Sequence, residues 1–154
     1  MKTEPTKYTL SVEIVCFLLL IISSILLCVY WNHIPDKLAM HYDFSGSVTR
    51  YGSKTEILII PAAAWICYAL MSVIAHYPQI WNTGVDITEA NRERVYRTLK
   101  SMLVTLKLVV CTLFLSYIPI IVLQLSLPGW WIFIVVGIVF LILGGFLFHL
   151  YHIK

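Results

Sequence analysis

A polar stretch at residues 32–54, NHIPDKLAMHYDFSGSVTRYGSK, stands between two long apolar runs and organises the first half of the chain. It holds two of the five histidines and three of the eleven Lys and Arg residues. Its titratable side chains include His33, Asp36, Lys37, His41, Asp43, Arg50 and Lys54. A polar segment between two membrane-length apolar runs predicts a loop displayed at one face of a membrane.

The composition excludes an ordinary soluble domain. The 154 residues are 60% hydrophobic and 12% charged, with a mean hydropathy of +0.86, whereas soluble domains are about 25% charged. A membrane helix needs roughly 20 apolar residues to cross a hydrocarbon core of about 30 Å. Four segments without Asp, Glu, Lys or Arg have about this length: 14–31, 57–77, 108–127 and 130–151.

The pattern therefore predicts one all-α domain, an integral membrane four-helix bundle. Its spans are expected at about residues 10–31, 57–77, 101–127 and 130–151, with an outer loop at 32–54 and an inner connector at 78–100. The first apolar run is longer than a signal-peptide core and lacks a cleavage site, so we expect a retained helix. The third helix is expected to extend out of the membrane as a basic segment.

Local signals place the helix starts. Ser53 and Glu56 have the spacing of a capping box, which predicts the start of the second helix. Thr88 or Asp86 is the expected cap of the third helix. In the last helix, Gly137 and Gly144 fall on one face, and this predicts close helix packing there.

Two charges lie beside the apolar segments. Glu13 is expected to reach the headgroups or Lys7, and the alternative is a buried carboxylate with a function. Lys107 is expected to extend its ammonium back to the headgroups.

Cations are unevenly distributed between the two sides. The tails and the second connector hold eight of them: Lys2, Lys7, Arg92, Arg94, Arg97, Lys100, Lys107 and Lys154. The polar stretch holds the other three. Because cytoplasmic segments collect Lys and Arg, both termini are expected in the cytoplasm and the 32–54 loop outside.

Metal binding and catalysis receive little support. The four cysteines lie in apolar segments and form no C-x-x-C pair: Cys16, Cys28, Cys67 and Cys111. They are expected to act as small apolar residues, and they do not identify a redox compartment. The pairs His33 with Asp36 and His41 with Asp43 could each bind a metal, but no zinc spacing is present, and no metal or cofactor is expected. His41 with Ser45 or Ser47 lacks a nucleophile-elbow motif, so no catalytic residue is expected.

Two further readings of the loop remain open. Its polar groups could cap turns, bind headgroups and satisfy the backbone. They could also recognise an external peptide, a lipid or a partner helix, since a loop of this length usually has a function.

At this loop the chain resembles a bacterial membrane domain of unknown function, best known as the N-terminal half of SdpI-type immunity proteins. The resemblance lies in IPDK at 34–37, MHYD at 40–43, Gly46 and RYGSK at 50–54. Ala39 and Thr49 depart from the pattern, which often has proline and aspartate there. The matching positions proposed to bind a ligand or partner are Pro35, Asp36, His41, Asp43, Gly46, Arg50, Gly52 and Lys54.

A second motif agrees with the same family, in YP at 77–78 and ITEANRER at 87–94. Its proposed site residues are Pro78, Thr88, Glu89, Asn91 and Arg94. The resemblance implies a multi-pass protein of the bacterial cytoplasmic membrane, although the four spans here lack the longer C-terminal portion of SdpI-type proteins.

The expected function is a non-enzymatic, SdpI-like protein that senses, or gives immunity to, an extracellular peptide or other agent at the membrane surface. The expected partners are the lipid bilayer and either an extracellular peptide or a partner membrane protein, not nucleic acid. Two alternatives stay open: a small transporter or transporter subunit, and a metal-dependent membrane enzyme using the 32–54 loop.

Overall fold

The computed structural model describes residues 5–123, 125 and 128–153, with Ile132 described by its backbone alone. Four long helices follow one another: α1 (Lys7–Val29), α2 (Ile59–His76), α3 (Arg92–Val122) and α4 (Trp131–His152). Helical segments at all four places are long and apolar enough to cross a membrane. The prediction of four helices of membrane-spanning length is therefore confirmed, and the chain is a multi-pass membrane protein.

The helix bounds differ from the prediction at several ends. α1 begins three residues early because the Thr6 hydroxyl accepts from the Thr9 N–H at 3.1 Å and the Thr9 hydroxyl accepts from the Thr6 N–H at 2.9 Å. It ends at Val29, and a short 3-10 turn, Trp31–His33, follows. α3 ends at Val122, and the predicted end at 127 lies outside the described residues, as do Lys2 and Lys154.

The expectation of an all-α chain with an irregular outer loop was wrong in one respect, because the polar stretch folds into a β-hairpin. Strands β1 (Lys37–Tyr42) and β2 (Val48–Ser53) pair antiparallel, with Lys37 opposite Ser53 and irregularities in the register near His41. A 3-10 turn, Lys54–Leu58, then leads into α2. Short polar strands carry a weak alternation signal, and packing against the helices gives this hairpin its stability.

α3 is the central helix of the bundle. It contacts α1 and α2 on one side, while α4 packs chiefly on α3. The main core lies between the first three helices and consists of Val12, Cys16, Leu20, Ala64, Val104, Cys111 and Leu115. The two buried cysteines thus act as small apolar core residues, as predicted.

Smaller clusters close the two ends of the bundle. At one end, Leu38 of the hairpin is fully buried among Leu27, Ile57 and Ile121. At the other end, Leu150 of α4 packs with Val95 and Leu99. The hairpin therefore covers one end of the bundle and is not a free loop.

The close packing predicted for α4 is not found. A Cβ added at Gly137 or Gly144 would meet no described atom within 4 Å. These glycines face open space because α4 joins the bundle through α3 and uses another face to do so.

Candidate functional site

The base of the hairpin is closed by an ion pair. Lys54 Nζ lies 3.3 Å from Asp36 Oδ1, and the Lys54 N–H donates to the Asp36 carbonyl at 3.0 Å. The same ammonium lies 5.3 Å from the centre of the Trp31 ring, within the range of a cation–π contact. Two of the predicted motif positions thus join the two strands to the end of α1.

A second ion pair links the hairpin to the 3-10 turn that leads into α2. Arg50 Nη1 lies 2.8 Å from Glu56 Oε2, while Glu56 Oε1 accepts from the Ser53 N–H at 3.0 Å. The predicted capping box of Ser53 and Glu56 is confirmed. A Cβ at Gly52 would lie 2.3 Å from Glu56 Oε1, so a larger residue here would displace the carboxylate from its present position.

The hairpin turn is built around Asp43. Its Oδ1 accepts from the Ser45 N–H at 2.8 Å, the Ser45 hydroxyl at 2.6 Å and the Ser47 N–H at 2.9 Å. Gly46 has φ 84°, a conformation that favours glycine. The Ser45 hydroxyl, followed by the backbone N–H of Ser47, holds the pKa of Asp43 below its ordinary value.

This shift predicts how the turn responds to acid. Because the folded-state pKa is lowered, the contribution of the Asp43 carboxylate to turn stability is complete above its ordinary pKa of 3.8 and is lost as pH falls through the folded value. We expect the protection of the Ser45 and Ser47 amides against hydrogen exchange, measured by NMR relative to the intrinsic exchange rate at each pH, to be steady near neutral pH and to fall at acid pH. Asp43→Asn should remove this dependence, and Asp36→Asn should retain it. Equal acid sensitivity in the Asp43→Asn variant would contradict the assignment.

The four residues considered as metal ligands are not brought to one point. The His41 ring Nδ1 lies 2.7 Å from Thr49 Oγ1, while Asp36 and Asp43 have the partners described above. The His33 ring lies on Tyr30 at the end of α1. Among the described residues, no three His, Cys, Asp or Glu side chains are placed to hold a metal ion.

Residues 18–65 match the family described as Domain of unknown function (DUF1648). The match runs from within α1 through the hairpin into α2 and includes all eight positions of the first motif. The match supports the part of the resemblance that concerns a domain of unknown function. It covers less than half of the chain. Comparisons with curated proteins and with solved structures gave no match.

The second motif lies outside that match, in the connector before α3 and in the first residues of that helix. The Thr88 N–H donates to Asn91 Oδ1 at 2.8 Å, and the Asn91 N–H donates to Thr88 Oγ1 at 3.3 Å. Asn91 occupies the N-cap position of the regular helix, so the expectation of Thr88 or Asp86 at that position was wrong. Thr88 instead caps the turn that leads into the helix, and its carbonyl accepts from the Arg92 N–H at 3.0 Å. Pro78 is buried, while Glu89 and Arg94 are exposed. Thr88 and Asn91 shape the start of α3.

Sequence reasoning missed a polar cluster between the first three helices. Lys107 Nζ donates to Glu13 Oε1 at 2.5 Å and to Ser72 Oγ at 2.9 Å. It also lies 4.9 Å from the centre of the Tyr68 ring. The Lys107 side chain is fully buried, and 30% of the Glu13 side chain is exposed.

Both expectations for these charges were therefore wrong. Lys107 does not reach the headgroups, and Glu13 pairs across the bundle instead of with Lys7. Glu13 lies six residues into α1, which places it roughly 9 Å along the helix axis. The sequence did carry a signal for this pair, since Glu13 and Lys107 each directly precede an apolar segment without charges, at 14–31 and 108–127.

A cavity of about 290 Å³ adjoins this pair. Its lining includes Thr9, Glu13, Ser72, His76 and Lys100, from the beginning of α1, the second half of α2 and the first half of α3. The Glu13 carboxylate thus faces a space at the end of the bundle opposite the hairpin.

An apolar groove of about 540 Å³ lies at the hairpin end, between α1 and α3. Aliphatic side chains such as Leu26, Ile118 and Val122 form most of its wall, and Tyr30, His33 and Pro35 line it near the hairpin. Of the eight proposed site positions, Pro35 lies in this lining, together with Ile34 of the same motif.

Proposed function

We propose that this protein is a non-enzymatic, SdpI-like protein of the bacterial cytoplasmic membrane that senses, or gives immunity to, an extracellular peptide. The observation that carries the proposal is the position of a rigid hairpin beside the apolar groove. Asp36, Asp43 and Arg50 all bind other groups of the hairpin or its flanking turns, so they hold its shape. Such a fixed platform suits recognition better than proton transfer.

The chemistry of the groove favours an apolar segment of peptide. Three cations (Lys37, Arg50 and Lys54) and three carboxylates (Asp36, Asp43 and Glu56) lie on the hairpin and the turn after it, so their formal charges cancel. A rim of zero net charge provides no strong steering of a charged ligand. We therefore place an apolar stretch of the peptide between α1 and α3, under the hairpin base. The excess of cations at the other end of the bundle supports an outward-facing hairpin.

Strains that lack or overproduce the protein test this proposal under challenge with membrane-active peptides. Deletion should increase sensitivity and overproduction should decrease it. A strain carrying Leu26→Trp, which fills the groove, should lose protection against the peptide. A strain carrying Ile25→Trp should keep protection, because Ile25 is not among the residues that line the groove. The two positions are matched in exposure, at 50% for Leu26 and 55% for Ile25. Unchanged sensitivity in both the deletion and the overproducing strain would discard the proposal.

The buried ion pair favours a second candidate function, a small transporter or transporter subunit. Intramembrane charges are costly and usually mark a pathway or a binding site. Here the Glu13 carboxylate is partly open to a cavity, while Lys107 is sealed behind it. This arrangement gives access from one end of the bundle.

Flux of protons or sodium ions into liposomes containing the purified protein tests the transport function. Flux should exceed that of empty liposomes and should fall in the Glu13→Gln variant. Glu89→Gln is the matched control, because it removes a carboxylate from the exposed connector. Flux no higher than in empty liposomes would eliminate transport of these ions.

A further inference from the structure

The hairpin lies across the end of the bundle. Its base joins α1 and α2, and β1 packs on α3, where Leu38 near the base clusters with Ile121. Strands of six residues are about 20 Å long at roughly 3.3 Å per residue. That length corresponds to about two helix spacings of 8–10 Å. The tip can therefore reach α4 on the far side of α3.

Contacts at the tip show that it does reach α4. A Cβ added at Gly129, just before α4, would lie 1.6 Å from the Phe44 carbonyl oxygen. The Phe44 and Phe133 rings are 6.3 Å apart between centroids. The tip is thus seated on the turn before α4 and on its first helical turn.

These contacts set the depth of the tip relative to the membrane. Phe133 lies in the first turn of α4, near the beginning of the apolar segment with which that helix crosses the membrane. Its side chain is 63% exposed, so it faces lipid near the edge of the hydrocarbon layer. Phe44, 78% exposed beside it, must lie at nearly the same depth. Trp130 is also exposed there, and aromatic rings favour this interfacial region.

The turn is built so that it can leave bulk water. The N–H groups of Ser45 and Ser47 donate to the Asp43 carboxylate, and the Gly46 N–H donates to the Asp43 carbonyl at 3.0 Å. Because these backbone donors are satisfied internally, moving the turn into the headgroup region costs little.

We infer that the hairpin tip is a lipid-binding surface, with the Phe44 ring inserted into the interface of a phospholipid bilayer. The hairpin then lies along the membrane and does not project into the aqueous phase. This inference is independent of the proposed function, because it concerns only where the tip lies.

Spin labels in phospholipid nanodiscs test the insertion. A nitroxide is attached at Phe44→Cys, and the control carries it at Thr49→Cys, an exposed strand position. Both variants are made in a chain carrying Cys28→Ala and Cys67→Ala, because the remaining two cysteines are buried. The ratio of collisions with dissolved oxygen to collisions with a water-soluble nickel chelate should be several-fold higher at position 44. Equal ratios at the two positions would overturn the inference.

A second measurement keeps the Phe44 ring in place, in case the labelled variant releases the tip. The chain is made with fluorinated phenylalanine, and the Phe44 signal among the seven is identified by its loss in Phe44→Leu. A lipid-soluble paramagnetic reagent should broaden this signal, and a water-soluble one should leave it sharp. The opposite pattern would overturn the inference whatever the spin labels report.

Discussion

Replacing Lys107 with methionine is expected to destabilise the bundle by about 3 kcal/mol, because it leaves the Glu13 carboxylate without its partner inside the membrane. This is the low end of the range for breaking a buried ion pair, since 30% of the Glu13 side chain is exposed. The measurement is the free energy of unfolding in mixed micelles, with wild type and variant compared under identical conditions.

Two controls separate the loss of the pair from the loss of a cation. Arg97→Met removes an exposed cation from the same helix, paired with the exposed Glu93, and should change stability by less than about 1 kcal/mol. The double variant Glu13→Leu with Lys107→Met should recover most of the loss, because a buried ion pair can be replaced by apolar residues of similar size. Equal stability of Lys107→Met and wild type would show that the pair does not hold the bundle.

Replacing Gly129 with alanine is expected to release the hairpin tip from α4. The new Cβ would lie 1.6 Å from the Phe44 carbonyl oxygen, and backbone must move to accommodate it. We expect a loss of about 1–3 kcal/mol in the stability of the docked hairpin, as for other overpacked sites. Hydrogen exchange of the hairpin amides should accelerate, while exchange in the middle of α1 and α3 should not change.

Gly137→Ala is the matched control, since its added Cβ meets no described atom within 4 Å. It should leave hairpin exchange unchanged and should stabilise α4 by about 0.5–1 kcal/mol, because glycine is unfavourable inside a helix. Slow, wild-type exchange in Gly129→Ala would mean that the tip is not docked on this turn.

The sequence predicted more of the fold than of the site. Apolar runs identified the four spans because crossing a hydrocarbon layer requires a continuous apolar surface, and the Ser53–Glu56 cap was visible because it is local. The hairpin was missed, since its strands are short and polar. Its position depends on contacts that Leu38 and Phe44 make with residues far along the chain. The eight positions of the first motif were found through resemblance, but their bonding within the hairpin and its flanking turns could not be read from spacing.

The sequence by itself determined that this is a multi-pass membrane protein with a polar segment between its first two helices, because hydropathy and caps act over neighbouring residues. Only the tertiary structure decided that the segment lies across the bundle and contacts α4. Only it paired Glu13 with Lys107, two charges that were each expected at the headgroups. An ion pair between helices that are distant in the sequence depends on which helix faces pack together. The local residue pattern of one sequence does not specify that packing directly.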